Sequence, residues 1–180
     1  MRIALAALLV LLAGCMQRSE EVLPVSAAIR GASRVEAVRL VVQPSARPAV
    51  AALDERAARQ GEGLAALPLA DLVSRSVVDT SRAQGLTSGQ PLRLIVELDE
   101  LRVAGTGSAL VGGADRMAGT VFIRHAETGA ALGQLYVDID KRNAGFIALA
   151  LRGGGIREQL AQAFAAEIAR HLGGRKTPPR

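Results

Sequence analysis

Leu92-Arg93-Leu94-Ile95-Val96-Glu97-Leu98-Asp99-Glu100-Leu101-Arg102-Val103 alternates aliphatic and mostly polar residues from its first position to Asp99. Side chains of a strand point to opposite faces in turn, so Leu92, Leu94, Val96 and Leu98 belong to a buried face of a sheet. At Glu100 the parity slips, because Leu101 and Val103 continue the apolar series on the other count. A β-bulge produces that slip by inserting one extra residue into the strand.

Working outward, Val35 to Val42 is a second strand, stopped by Pro44. Ala49 to Gln60, with Pro48 before it and Gly61 and Gly63 after it, reads as a short helix. From Pro68 to Gln84 the apolar positions Leu69, Leu72, Val73 and Val77 follow helical spacing, and Gly85 ends the pattern. Thr120 to Arg124 and Leu135 to Asp140 are two further strands, joined through Ala126-Glu127-Thr128-Gly129 as a hairpin turn. Ile156, Leu160, Phe164, Ile168 and Leu172 define a closing helix, preceded by Gly153 to Gly155 and followed by Gly173. The order strand, helix, strand, strand, strand, helix gives an α+β two-layer sandwich. The expected sheet is mainly antiparallel, of about four strands, with two or three helices on one face and a single domain over 35–172.

The amino terminus carries an address. Met1 and Arg2 precede an unbroken apolar run from Ile3 to Leu12, the pattern of a secretory signal. The run is too short for a permanent span, which takes about twenty apolar residues. Leu12-Ala13-Gly14-Cys15 resembles the bacterial lipobox, which implies removal of residues 1–14 and a diacylglycerol and an N-acyl chain on Cys15. No other cofactor is expected. Cys15 is the only cysteine, so the mature domain has no disulfide and no thiolate for catalysis or metal binding. Residue 16 is Met rather than Asp, which by the same resemblance favours the outer membrane, periplasmic face, over the inner membrane. Residues 15–34 show no sustained period and read as a lipidated flexible tether; 173–180 read as a basic disordered tail.

Composition narrows the function classes. Only 2% of residues are aromatic (Phe122, Tyr136, Phe146 and Phe164), which argues against stacking platforms for single-stranded nucleic acid and aromatic cages for quaternary amines. The formal charge is +5, but residues 15–169 balance at 17 basic against 17 acidic, and the excess lies in Arg2 and the final eleven residues. A nucleic-acid footprint needs a basic patch on a folded face, so no nucleic-acid partner is expected.

The strand ending at Pro44, the Leu92 to Leu98 strand, the Glu127-Thr128-Gly129 turn and the closing helix together give the chain a resemblance to small uncharacterised periplasmic lipoproteins. Their domain is similar to the amino-terminal domain of TolB and the core of the curli secretion lipoprotein. The resemblance implies a binding or assembly module of the envelope, with no catalytic residues to carry over.

Candidate sites are few. Arg152, Gly153, Gly154, Gly155 and Arg157 open the closing helix, where free N–H groups and two guanidiniums could hold a phosphate or lipid headgroup. Phe146, Ile147, Leu149 and Leu151 lie in an apolar run without a period, either core or a partner or lipid contact, with the Gly105 to Gly113 loop as a neighbour in a docking edge. Asp138 and Asp140 share a strand face and could join Glu97 and Asp99 in an acid/base or metal cluster, against the plainer reading of cross-strand ion pairs with Arg93, Arg124, Lys141 and Arg142. His125 and His171 are far apart in the chain, His171 fitting a helix C-terminus, and no metal site is expected. The reading is a non-enzymatic outer-membrane lipoprotein, held by its lipid, with an envelope protein partner and an open question of homo-oligomerisation. Behind it stand an auxiliary lipoprotein of lipid or lipopolysaccharide transport and, last, a carboxylate-dependent hydrolase.

Overall fold

In the computed structural model, which describes residues 16–60, 66–104, 113–142 and 155–175, the alternating run belongs to the strand Gln90–Arg102. In chain order the elements are β1 (Met16–Leu23), β2 (Ser33–Val42), α1 (Arg47–Gln60), α2 (Leu69–Ala83), β3 (Gln90–Arg102), β4 (Ala114–His125), β5 (Ala131–Arg142) and α3 (Ile156–His171). The five strands form one sheet in the order β1-β5-β4-β3-β2. β2 and β3 run parallel, because α1 and α2 connect them; every other neighbouring pair is antiparallel.

Leu92, Leu94, Val96 and Leu98 are fully buried on one face of β3, and beneath them lie Leu72, Val73 and Val77 of α2 and Leu160, Phe164 and Ile168 of α3. The bulge falls where the parity slips. Register shifts between Leu98 and Glu100, and Leu101 returns to the core side opposite Met117. Gly119, the partner of Leu98, makes this close passage feasible: a Cβ there would stand 2.4 Å from the Glu97 carbonyl oxygen. The other face of the sheet carries half-buried Ile95, Phe122 and Tyr136 among charged residues. Of the described aromatics, only Phe164 is in the core.

The sheet of five strands is close to the expected number, and the added strand is a correction: residues 16–23 of the expected tether are its edge strand, paired with β5 from Met16↔Asp140 to Leu23↔Gln134. The reason β1 escaped notice is physical. Arg18, Glu20 and Val22 are exposed on one face and polar Ser19 and Glu21 point to the other, so no apolar period marks it. The rest of that segment is also built in, with Val25 and Ile29 buried in the core. Cys15, residues 1–14, the Phe146 to Leu151 run, Arg152 to Gly154, most of the Gly105 to Gly113 loop and the last five residues lie outside the described residues.

Candidate functional site

The densest polar cluster joins β1 to the end of α3. Ser19 and Glu21 reach α3 from β1, whereas Glu167, Arg170 and His171 meet them from the last turn of the helix. Glu167 occupies a core-facing position of α3, one turn past Phe164, with its side chain only 4% exposed. A carboxylate so placed must be paired. It accepts a short hydrogen bond from the Ser19 hydroxyl and one of 3.1 Å from Arg170 Nε. Across the cluster, His171 Nδ1 lies 3.1 Å from Glu21 Oε1, and Arg30 binds the same Glu21 carboxylate through Nη2 at 2.7 and 2.8 Å.

Serine, histidine and carboxylate thus stand in the spatial order of a hydrolase triad, with Ser19 Oγ 2.5 Å from His171 Nε2. The hydrogen bonding is that of a fastening. The one hydroxyl proton of Ser19 goes to Glu167 rather than to His171, and Arg170 Nη2 crowds both groups, 3.1 Å from the serine oxygen and 2.9 Å from His171 Nε2. The cluster holds an edge strand that has little apolar surface of its own.

Its electrostatics make the fastening acid-sensitive. The hydrogen bond with His171 is the largest influence on Glu21 and, with the charge of Arg30, holds its carboxyl below the ordinary value of 4.5 against some burial. For Glu167, burial opposes ionisation, but hydrogen bonds from Arg170 and Ser19 and the charges of Arg170 and His171 prevail and hold it low as well. A carboxyl with a lowered folded-state value stabilises the fold above its unfolded value and loses that contribution as pH falls through the folded one. Hydrogen exchange, corrected for intrinsic rates, should therefore show β1 losing protection ahead of β3 and β4 as pH falls below the ordinary carboxyl value of 4.5. Equal protection of all three strands throughout acid unfolding would refute the assignment.

The remaining candidates separate. Asp138 is bound in a fork by Arg116 at 2.9 Å through both Nε and Nη2, and Arg116 also holds Glu100 at 2.6 Å. The hydrogen bonds to Asp138 above all, with the charges of Asp138 and Glu100, push the guanidinium further toward its charged form. Glu97 accepts from Gln43 at 3.1 Å. Asp99 is pushed up by burial and by the nearby Glu97 charge, with a Thr120 hydrogen bond opposing. The carboxylates are therefore spread over cross-strand pairs, and among the described residues no three His, Cys, Asp or Glu side chains converge as a metal would need. His125 organises the hairpin turn, its Nδ1 accepting from Glu127 and Thr128 N–H at 3.2 and 3.3 Å. Gly155 caps α3 in the left-handed conformation, and Arg157 is buried against Asp54 of α1 at 3.1 Å, so that guanidinium is engaged within the fold.

Sequence reasoning missed Ser19, Glu21, Glu167 and Arg170. One signal was present: Glu167 follows Leu160 by seven residues and Phe164 by three, which puts a carboxylate on the apolar stripe of the closing helix.

No protein-family model matches the sequence, and no curated protein is similar to it. Among solved structures the chain is similar to the PelC dodecamer from Paraburkholderia phytofirmans, seen in two crystal forms, with a TM-score of 0.53 at 12% identity over 89% of this chain and 100% of that one. It is also similar to a DUF330 protein from Xanthomonas campestris, with a TM-score of 0.48 at 16% identity over 82% of this chain and 87% of that one. A protein from Caulobacter crescentus CB15, provisionally designated a lipoprotein, aligns with a TM-score of 0.39 at 14% identity over 76% of this chain and 87% of that one. At 12% identity, what the likeness to PelC shows is the fold, an α+β domain shared along nearly the whole chain.

Proposed function

We propose that this protein is a non-enzymatic lipoprotein of the outer membrane, anchored on the periplasmic side through Cys15, whose α+β domain serves as an assembly module with further copies of itself or with an envelope protein. The observation that carries this reading is the position of β1. The strand opens at Met16, directly after the lipobox cysteine, and is fastened to α3 by Ser19, Glu21, Glu167 and His171. A lipid on Cys15 would hold the domain by an edge strand of its sheet, with no flexible spacer between acyl chains and fold. Among the described residues no helix is long and apolar enough to cross a membrane; several acyl chains on Cys15 would suffice for stable attachment. The PelC likeness adds support from the fold side, since that protein is a dodecamer.

The reading is tested by cross-linking intact envelopes and fractionating them. The chain should sediment with outer membranes and give cross-links to its own kind or to an envelope protein; recovery as an uncross-linked soluble monomer would end the proposal. A second reading, an auxiliary role in lipid or lipopolysaccharide transport, draws on the pairing Met16↔Asp140. That register sets the end of β5 beside the start of β1, which would bring it near a lipid on Cys15. Lipid copurifying with the detergent-solubilised protein beyond its own anchor would favour that reading.

A further inference from the structure

We infer that copies of this chain join head to tail through the two outer edges of the sheet, β1 of one copy pairing antiparallel with β2 of the next. The inference deepens the assembly reading above and rests on it. Sheet order leaves β1 and β2 at opposite ends, and among the described residues no backbone hydrogen bond from a loop or strand reaches the outer edge of β1. Edges of this kind present rows of unpaired N–H and C=O groups and are templates for another strand. On β2, a register shift between Val35 and Ala37 and an Arg34↔Thr87 bridge close off the first residues; of the outward carbonyls beyond them, Val38 accepts from Ser74 Oγ at 3.1 Å and Val42 from Arg47 Nε at 3.4 Å, each keeping a second lone pair for a strand partner.

Side chains select the register. Arg18, Glu20 and Val22 are exposed on the helix-free face of β1; on β2 that face carries Ala37, Arg39 and Val41, of which Ala37 and Arg39 are exposed. With Glu20 opposite Arg39 of the next copy, the stem of Arg18 falls over Val41, and Val22, at the register shift of β1 between Glu21 and Leu23, meets Ala37. Neither Glu20 nor Arg39 has an ion-pair partner within the chain among the described residues, so the contact supplies each with one. Val22 and Leu23, 57% and 47% exposed, are the large hydrophobics left in solvent among the described residues, and both lie on this edge. The cleft lined by Arg18, Ser19, Glu20, Tyr136, Asp138 and Arg170 runs along the same strand.

Direction favours this pairing over β1 with its own copy. β1 runs opposite to β2 within one sheet, so stacking identical sheets edge to edge continues it as an antiparallel ladder. Every copy then points the start of β1 the same way, and all Cys15 anchors emerge on one side, as attachment to one bilayer requires. A two-fold β1–β1 pair would put two anchors at opposite ends of the interface. Head-to-tail contacts of this heterologous kind close into rings when the rotation between copies permits.

The test uses the full lipoprotein in detergent. Val22→Cys together with Ala37→Cys should give a ladder of disulfide-linked multimers on oxidation, while each single variant stays monomeric. The two positions are four strands apart in one chain, about 19 Å, too far for a bond within a copy. Glu20→Lys and Arg39→Glu should each weaken association on the order of tenfold, and the double charge swap should restore it. Dimers from Val22→Cys alone, an adduct with another protein in place of the ladder, or absence of a ladder from a folded chain that still sediments with membranes would each overturn edge pairing, the last while leaving the anchored reading intact. A double swap that fails to rescue would overturn the register.

Discussion

Cys15→Ser should move the protein from the membrane pellet to the soluble periplasmic fraction completely, with no change in fold. Each buried methylene of an acyl chain contributes about 0.8 kcal/mol, so one chain binds reversibly and several make attachment stable. Serine offers no thiol for the diacylglyceryl transfer that the lipobox resemblance implies, and removing that step removes every chain together. The domain itself should be indifferent, since β1 is held by backbone pairing with β5 and by the Ser19–Glu167 and Glu21–His171 contacts, none of which involves residue 15. Circular dichroism and thermal melting should coincide for the two forms, and association of the soluble variant should weaken, because anchoring concentrates copies in a plane. A Cys15→Ser protein that still sediments with membranes after a high-salt wash would show that attachment comes from elsewhere.

The core half of this fold was legible because apolar patterning reports burial directly. Leu92 to Leu98 located a strand inside the sheet, and the slip at Glu100 marked a bulge that the register confirms. The stripes on α2 and α3 located the faces buried against it. The boundary half was not legible. β1 is fixed by backbone hydrogen bonds and polar contacts, which leave no period in hydrophobicity, and its partner β5 is more than a hundred residues away. The same blindness hid the polar cluster, since Ser19 and His171 become neighbours only once the sheet order is known. The carboxylates on the strands, conversely, were legible as a class and ambiguous in role, until the fork of Arg116 on Asp138 gave them a structural one.

Under the proposed anchoring through Cys15, any pull on the lipid would pass through β1 to β5 and α3, so the helix would have to be seated firmly. Away from the polar cluster at its end, α3 meets the sheet through Lys141, which reaches Gln159 at 3.4 Å, and through apolar packing. Firm seating therefore depends on the packing of Leu160, Phe164 and Ile168.

Phe164→Ala should accordingly be the most destabilising single change in the core. Phe164 is fully buried and is the largest such side chain among the described residues. Truncating a buried phenylalanine costs about 3–5 kcal/mol, through lost transfer energy and the cavity left behind. Collapse to fill that cavity is restricted here. The strands facing α3 contribute Val121, Ile123, Val137 and Ile139, whose branched side chains have few alternative rotamers. Against a typical total of about 5–15 kcal/mol, such a loss is a third or more of the stability of a modest domain. The melting temperature should fall by roughly 10 °C, while Phe164→Leu, which keeps most of the volume, should cost about 1–2 kcal/mol. Because α3 carries Glu167 and His171, the alanine variant should also loosen β1, and hydrogen exchange at 16–23 should rise together with that of the helix. If the two variants melted alike, the ring would not be what seats the helix, and the anchor's strand would be held by the polar cluster alone.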